Sequence, residues 1–142
     1  MAISRLDKFT QSSAKLTQRY SDFLIDLNPH PVVKDIVKYI DEMAVNKAIR
    51  NLILTDRGER LYQPDIGSSI RSMLFEPMSS ASGELISTFI QSTIKDHEPR
   101  AVVLQVNVVP NYDKNLYSVT IVYMVINKSE PTTLNIALER IR

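Results

Sequence analysis

At 142 residues without a cysteine, the chain can bury a core without disulfide or metal staples, and thiolate chemistry is excluded. Seventeen Lys and Arg against sixteen Asp and Glu leave a net charge of +1, too little to steer the chain toward nucleic acid or an anionic membrane. No continuous apolar run opens the sequence and none reaches a spanning length, so a soluble protein without a standard export signal is expected, folding in a reducing cytoplasm.

Residues 1–19 are polar with sparse apolar positions (Ile3, Leu6, Phe9, Leu16). They read as an N-terminal arm, mobile or ordered only against a partner, ahead of one domain spanning 20–142. Residues 20–27 suit a short edge strand with Phe23, Ile25 and Leu27 on one face. Asn28-Pro29-His30-Pro31 is a turn by composition, and the alternation through Ile36, Lys38 and Ile40 suits a second short strand. Asp41 is placed to cap a helix whose Val45, Ile49, Leu52 and Ile53 form one apolar face, ending near Thr55.

Residues 55–67 read as a structured loop, turned at Gly58, stiffened at Pro64 and anchored to the core by Leu61 and Tyr62. Ser68 is expected to cap a short helix with Ile70, Met73 and Leu74 inward, closed by Phe75-Glu76-Pro77. Ser79 or Ser80 then starts a long helix carrying Leu85, Ile86, Phe89, Ile90, Thr93 and Ile94 as its apolar stripe. Glu98 must end that helix, because Pro99 lacks an amide donor and disfavours the α region for the residue before it.

Three alternating segments follow. Val102, Leu104, Val106 and Val108 are expected on one face of the first, Tyr117, Val119, Ile121, Tyr123 and Val125 on one face of the second, and Leu134, Ile136 and Leu138 inward on the third. Short loops between them predict an antiparallel meander, with the preceding helices on its apolar face, and so an α+β fold.

Candidate chemistry is thin. Glu59, Asp65, Glu76, Glu84 and Glu98 could supply the two carboxylates of a glycoside hydrolase, but nothing in the spacing holds two of them at a catalytic separation. His30 and His97 have no ligand spacing around them, so no metal site is expected. Lys47, Arg50, Arg57, Arg60 and Arg71 bias the middle of the chain toward basic, yet Asp56, Glu59 and Asp65 interleave, which suits a solvated loop or a protein partner better than nucleic acid. The last strand can accept a strand from another protein at its free edge, or its charged end, Glu139-Arg140-Ile141-Arg142, can block such pairing. Glu98 and Arg100, either side of Pro99, either pair with each other or wait for a partner.

The order of signals resembles the baseplate wedge and sheath-initiator family of contractile phage tails and contractile injection systems, some members of which carry a lysozyme-like label. The resemblance rests on Asp41-x-x-Ala44-Val45-x-x-x-Ile49-x-Asn51-Leu52, Thr55-x-x-Gly58-Glu59-Arg60, Pro64-x-x-Gly67, Leu74-Phe75-Glu76-Pro77 and Glu98-Pro99-Arg100, and covers about residues 35–139. It implies a structural, non-catalytic protein without cofactor or metal. Its expected partners are large wedge subunits, the tail sheath protein and tail tube or hub proteins, with no nucleic acid or membrane. Glu98, Pro99 and Arg100 would meet the helical core of the wedge. Thr133, Leu134, Asn135, Ile136 and Ala137 would pair with a sheath extension, and Gly58, Glu59, Arg60, Pro64, Gly67, Phe75 and Pro77 would be structural. The protein would reside in the tail baseplate of a virion assembled in the host cytoplasm, or in the bacterial cytoplasm as part of an injection system. The alternative is a baseplate-associated peptidoglycan hydrolase.

Overall fold

The computed structural model describes residues 19–23, 29, 31–32, 34–126 and 128–140. In chain order the elements are β1 (Ser21–Phe23), β2 (Lys38–Ile40), α1 (Glu42–Leu54), α2 (Ile70–Met73), α3 (Ser80–His97), β3 (Ala101–Asn111), β4 (Leu116–Val125) and β5 (Pro131–Glu139). The expected arm over residues 1–19 and the Ile25–Leu27 part of the first strand lie outside the described residues, Arg19 excepted.

The strongest alternation in the sequence becomes the middle of the main sheet. β4 pairs antiparallel with β3 on one side and β5 on the other. Tyr117, Val119, Ile121, Tyr123 and Val125 all face the core, as do Leu134, Ile136 and Leu138 of β5. α3 packs along β3, and α1 lies against α3 and reaches β5, so both helices cover one face. Their buried residues are Ala44, Val45, Ile49, Leu52 and Ile53 on α1, and Gly83, Ile86, Ile90, Thr93 and Ile94 on α3. Each fully buried aliphatic side chain here contributes on the order of 1.5–3 kcal/mol by leaving water. The fold is the expected α+β arrangement, with a separate two-stranded β1–β2 pair beside α1.

Several expectations fail for local reasons. A β-bulge between Val103 and Gln105 changes which residues of β3 face the helices. Val103 packs on the core ahead of it and Val106 and Val108 after it, leaving Val102 and Leu104 exposed. Leu85 also faces water, because the buried stripe of α3 runs through Gly83, Ile86 and Ile90 instead.

Leu61 and Tyr62 do not anchor the 55–67 loop; they are 92% and 97% exposed at its tip. Backbone bonds close the loop instead: Gly58 N–H donates to Pro64 O at 2.8 Å and Ser68 N–H to Thr55 O at 2.8 Å. Gly67 is needed at that neck, since φ is +135° and a Cβ would stand 2.7 Å from Thr55 O. Ser68 caps no helix. Its hydroxyl donates to Ile53 O at 2.7 Å, and Ser69 takes the N-cap position of α2 without a side-chain bond. Asp41 occupies the N-cap of α1, but its carboxylate is turned away to the chain before β1. Ser79 does cap α3, accepting from Ser82 N–H at 3.0 Å.

Candidate docking site

The corner between α3 and β3 brings the two charges around Pro99 together. Glu98 is the C-cap of α3, its N–H still bonded to Ile94 O at 2.8 Å. Pro99 carries the chain out, and Ala101 N–H returns to Glu98 O at 3.1 Å. Arg100 O accepts from Ile126 N–H at 2.9 Å, so the backbone of Arg100 already belongs to the start of the sheet. With both backbones held, the side chains meet as a fork. Arg100 Nε donates to Glu98 Oε1 and Nη2 to Oε2, each at 2.6 Å.

The pair is lopsided in its exposure. The Glu98 side chain is 7% exposed and that of Arg100 32%. The hydrogen bond to Glu98 raises the Arg100 pKa above its ordinary value, with burial opposing. The guanidinium carbon also lies 5.5 Å from the ring centroid of Tyr20, within reach of a cation–π attraction.

Tyr20 is held there by Asp41. Asp41 Oδ1 accepts from Arg19 N–H at 2.9 Å and Tyr20 N–H at 3.1 Å, and Asp41 N–H donates to Tyr20 O at 2.8 Å. Those amide bonds hold the Asp41 carboxyl below its usual value of 3.8. Neither Tyr20 nor Asp41 was legible as part of this corner. Each lies more than fifty residues away in sequence, and Asp41 reads most simply as a cap. On the outer side, Pro99, Ala101, Val102, Leu104, Gln91 and Lys95 line a groove of about 380 Å³ next to the fork.

The second feature is the outer edge of β5, which pairs with no other strand among the described residues. Arg140 N–H donates to Asn115 O at 3.1 Å, and the β4–β5 register continues from there without a break. Antiparallel alternation then points the N–H and C=O groups of Thr133, Asn135 and Ala137 away from β4. From Pro131 to Leu138 the strand has no charged side chain. The two outer edges of the sheet differ: β3 carries a bulge and Pro110, both devices that discourage pairing, and β5 has only Pro131 at its first position.

The remaining motif residues build local structure. Glu59 Oε2 accepts from Asp56 N–H at 3.0 Å, and Arg60 O accepts from Gln63 N–H at 3.3 Å, within the loop that Gly58, Pro64 and Gly67 shape. Pro77 O accepts from Ser82 Oγ at 3.0 Å in front of α3, and Phe75 is 58% exposed. Of the carboxylates considered for catalysis, Glu98 is committed to Arg100 and Glu59 to a turn, while Asp65, Glu76 and Glu84 are exposed. Arg71 pairs with Asp56 at 3.0 Å. His97 sits in the last turn of α3, and His30 lies outside the described residues. Among the described residues no three His, Asp or Glu side chains gather as a metal site, and no helix is long and apolar enough to cross a membrane.

Together these features define an α+β module with a helix-roofed sheet, one guarded edge and one edge left unpaired among the described residues. The chain belongs to the baseplate wedge protein gp25 family, whose model matches residues 41–130. It is 29% identical over 97 residues to baseplate wedge protein gp25 of Enterobacteria phage T4, a match covering 68% of this chain and 74% of that protein. Among solved structures, it is similar to a "putative tail lysozyme" from Geobacter sulfurreducens, with TM-score 0.65, 24% identity and coverage of 69% and 89%. It is also similar to a chain of the anti-feeding prophage baseplate, with TM-score 0.60, 19% identity and 87% of each chain covered. The two structural likenesses are likenesses of fold.

Proposed function

We propose that this protein is a structural, non-catalytic wedge subunit of a contractile-tail baseplate, acting through two surfaces. The Glu98-Pro99-Arg100 corner docks on the helical core of larger wedge subunits, and β5 offers its edge as the first strand on which sheath protein is laid. Residues 20–142 act as one wedge domain and 1–19 as its arm, in a tail baseplate beside tube or hub proteins. The observation that carries this reading is the contrast between the two sheet edges. A nine-residue strand in unbroken register, uncharged until its last residue, is what natural proteins avoid leaving bare unless it is to be paired.

The corner supports the other half. Arg100 uses Nε and Nη2 on Glu98, and Nη1 makes no hydrogen bond among the described residues. A pinned guanidinium with one free edge, beside an exposed proline and a groove, can receive a helix that brings an acceptor.

Asn135→Pro tests strand addition. The Asn135 N–H points outward, so proline removes no bond to β4, and the variant should melt within about 2 °C of wild type while failing to nucleate sheath with its cognate sheath protein. Normal sheath growth on this variant would overturn the β5 assignment.

The name of one fold neighbour, a "putative tail lysozyme", raises a second reading, a baseplate-associated peptidoglycan hydrolase. A zymogram with purified protein separates the two. Robust lysis abolished by a single carboxylate substitution would replace the assembly reading.

A further inference from the structure

The edge of β5 is roofed by a second face of α1. Met43, Asn46, Lys47, Arg50 and Leu54 follow i, i+3, i+4, i+7, i+11 spacing and form a stripe distinct from the buried one. Two grooves lie between this stripe and β5. The first, about 250 Å³, is lined by Tyr39, Met43, Asn46, Lys47, Arg50 and Leu134. The second, about 320 Å³, is walled chiefly by Ile53, Leu54, Ile70, Leu74, Ala137 and Leu138.

A strand added to β5 would send alternate side chains under α1, in the layer of Leu134, Ile136 and Leu138. The positions opposite Leu134 and Leu138 are four residues apart, about 13 Å along the strand. One would enter each groove, and the groove linings differ in chemistry.

The first groove presents two cations, a phenol and an amide, and no carboxylate. Neither Lys47 nor Arg50 has an ion pair among the described residues, where the pairs are Arg71–Asp56, Arg100–Glu98 and Lys128–Glu42. Asn46 also lines this groove, with its Oδ1 buried from water and without a hydrogen-bond partner among the described residues. Lys47 and Arg50 both line this one space as donors, an arrangement that suits a carboxylate. The second groove is mainly aliphatic, and the charged residues that line it are the Asp56–Arg71 ion pair and Glu139. It suits a large apolar side chain.

Resting on the strand-addition reading above, we infer that β5 selects its partner strand by side chains: a carboxylate opposite Leu134 and a large apolar residue four positions away, opposite Leu138. The roof on α1 thus turns a backbone edge that would accept any strand into one that prefers a particular pattern. Lys47 and Arg50 disfavour a basic residue in the first groove, and the aliphatic walls disfavour any charge in the second.

The test appends a flexible Gly-Ser linker and a nine-residue strand to the full chain, so that the strand folds back antiparallel along β5 at high effective concentration. Three strands are compared, with Leu and Glu, Leu and Lys, or Asp and Glu at the positions opposite Leu138 and Leu134 respectively. Amide hydrogen exchange at Thr133, Asn135 and Ala137 reads pairing itself, and the melting temperature reads preference. The Leu–Glu strand is expected to protect the three amides and to melt about 3–5 °C above the Leu–Lys strand. The Asp–Glu strand should lose protection at least tenfold. In the Lys47→Glu, Arg50→Glu background the order of Glu and Lys should reverse. Equal protection and equal melting for Glu and Lys strands would overturn the selectivity and leave strand addition standing. Unprotected amides with every appended strand would overturn both.

Discussion

Replacing Arg100 with alanine tests whether the corner proposed as a docking point is also a clamp of the fold. The substitution removes both 2.6 Å bonds to Glu98 and leaves a carboxylate whose side chain is only 7% exposed. Removing one member of a fully buried pair costs about 3–5 kcal/mol, chiefly because the other charge is stranded. Here the guanidinium is 32% exposed, and water screens part of the attraction, so about 2–3 kcal/mol is the better figure. In a chain of this length 1 kcal/mol corresponds to about 3–4 °C, which predicts a fall in Tm of about 6–12 °C. Most single domains have enough stability to remain folded after such a loss. The assay is thermal unfolding by circular dichroism on Arg100→Ala, Glu98→Gln and the double variant. The double variant should recover a good part of the loss, since a neutral amide is cheaper to leave buried, with a coupling energy of at least about 1 kcal/mol. Melting of Arg100→Ala within 2 °C of wild type, with coupling near zero, would refute the clamp. A further variant, Arg100→Lys, keeps the charge but not the fork and should fall between wild type and alanine.

Gly67→Ala should destabilise by more than about 2 kcal/mol, because the new Cβ meets Thr55 O at 2.7 Å and Asp56 C at 2.8 Å on a backbone at φ +135°. Gly58→Ala, at φ +85° with nothing within 4 Å, should cost only about 1 kcal/mol, and parallel urea titrations compare the two directly. Asp41 makes stability acid-sensitive. Its folded pKa lies below 3.8, so its contribution is fully present above that value and is lost as pH falls through the lower folded one. Asp41→Asn should flatten the stability–pH curve in that window, and an unchanged curve would show that the bonds to Arg19 and Tyr20 carry no weight in the folded state.

How much of this was legible in the sequence depended on which force held each piece. β4 and β5 were plain because burial on one face of a sheet enforces strict alternation, and the residues from Tyr117 to Val125 and from Leu134 to Leu138 obey it. β3 was misread because a bulge leaves no mark in Val-Val-Leu-Gln-Val, where every residue tolerates a strand. Leu61 and Tyr62 misled because apolar type suggests burial, whereas the loop is closed by backbone bonds that any sequence could make once Gly67 permits the turn. At the corner, opposite charges flanking a proline announced that Glu98 and Arg100 would either pair or seek partners. The ring of Tyr20 beneath Arg100, and the Asp41 bonds that hold it, join residues 21 to 80 positions apart, a relation that no local pattern carries.

The bulge and Pro110 in β3 have a consequence for counting. A subunit with two open edges would be a link, able to join a ribbon of sheets without end in either direction. With pairing discouraged at one edge, it would be a terminus. On the strand-addition reading proposed above, each copy would take up a single foreign strand and pass nothing on, so the number of strands accepted by a ring of such subunits would equal the number of subunits in it. A structure begun on such a ring would inherit its symmetry and its starting level from the ring alone.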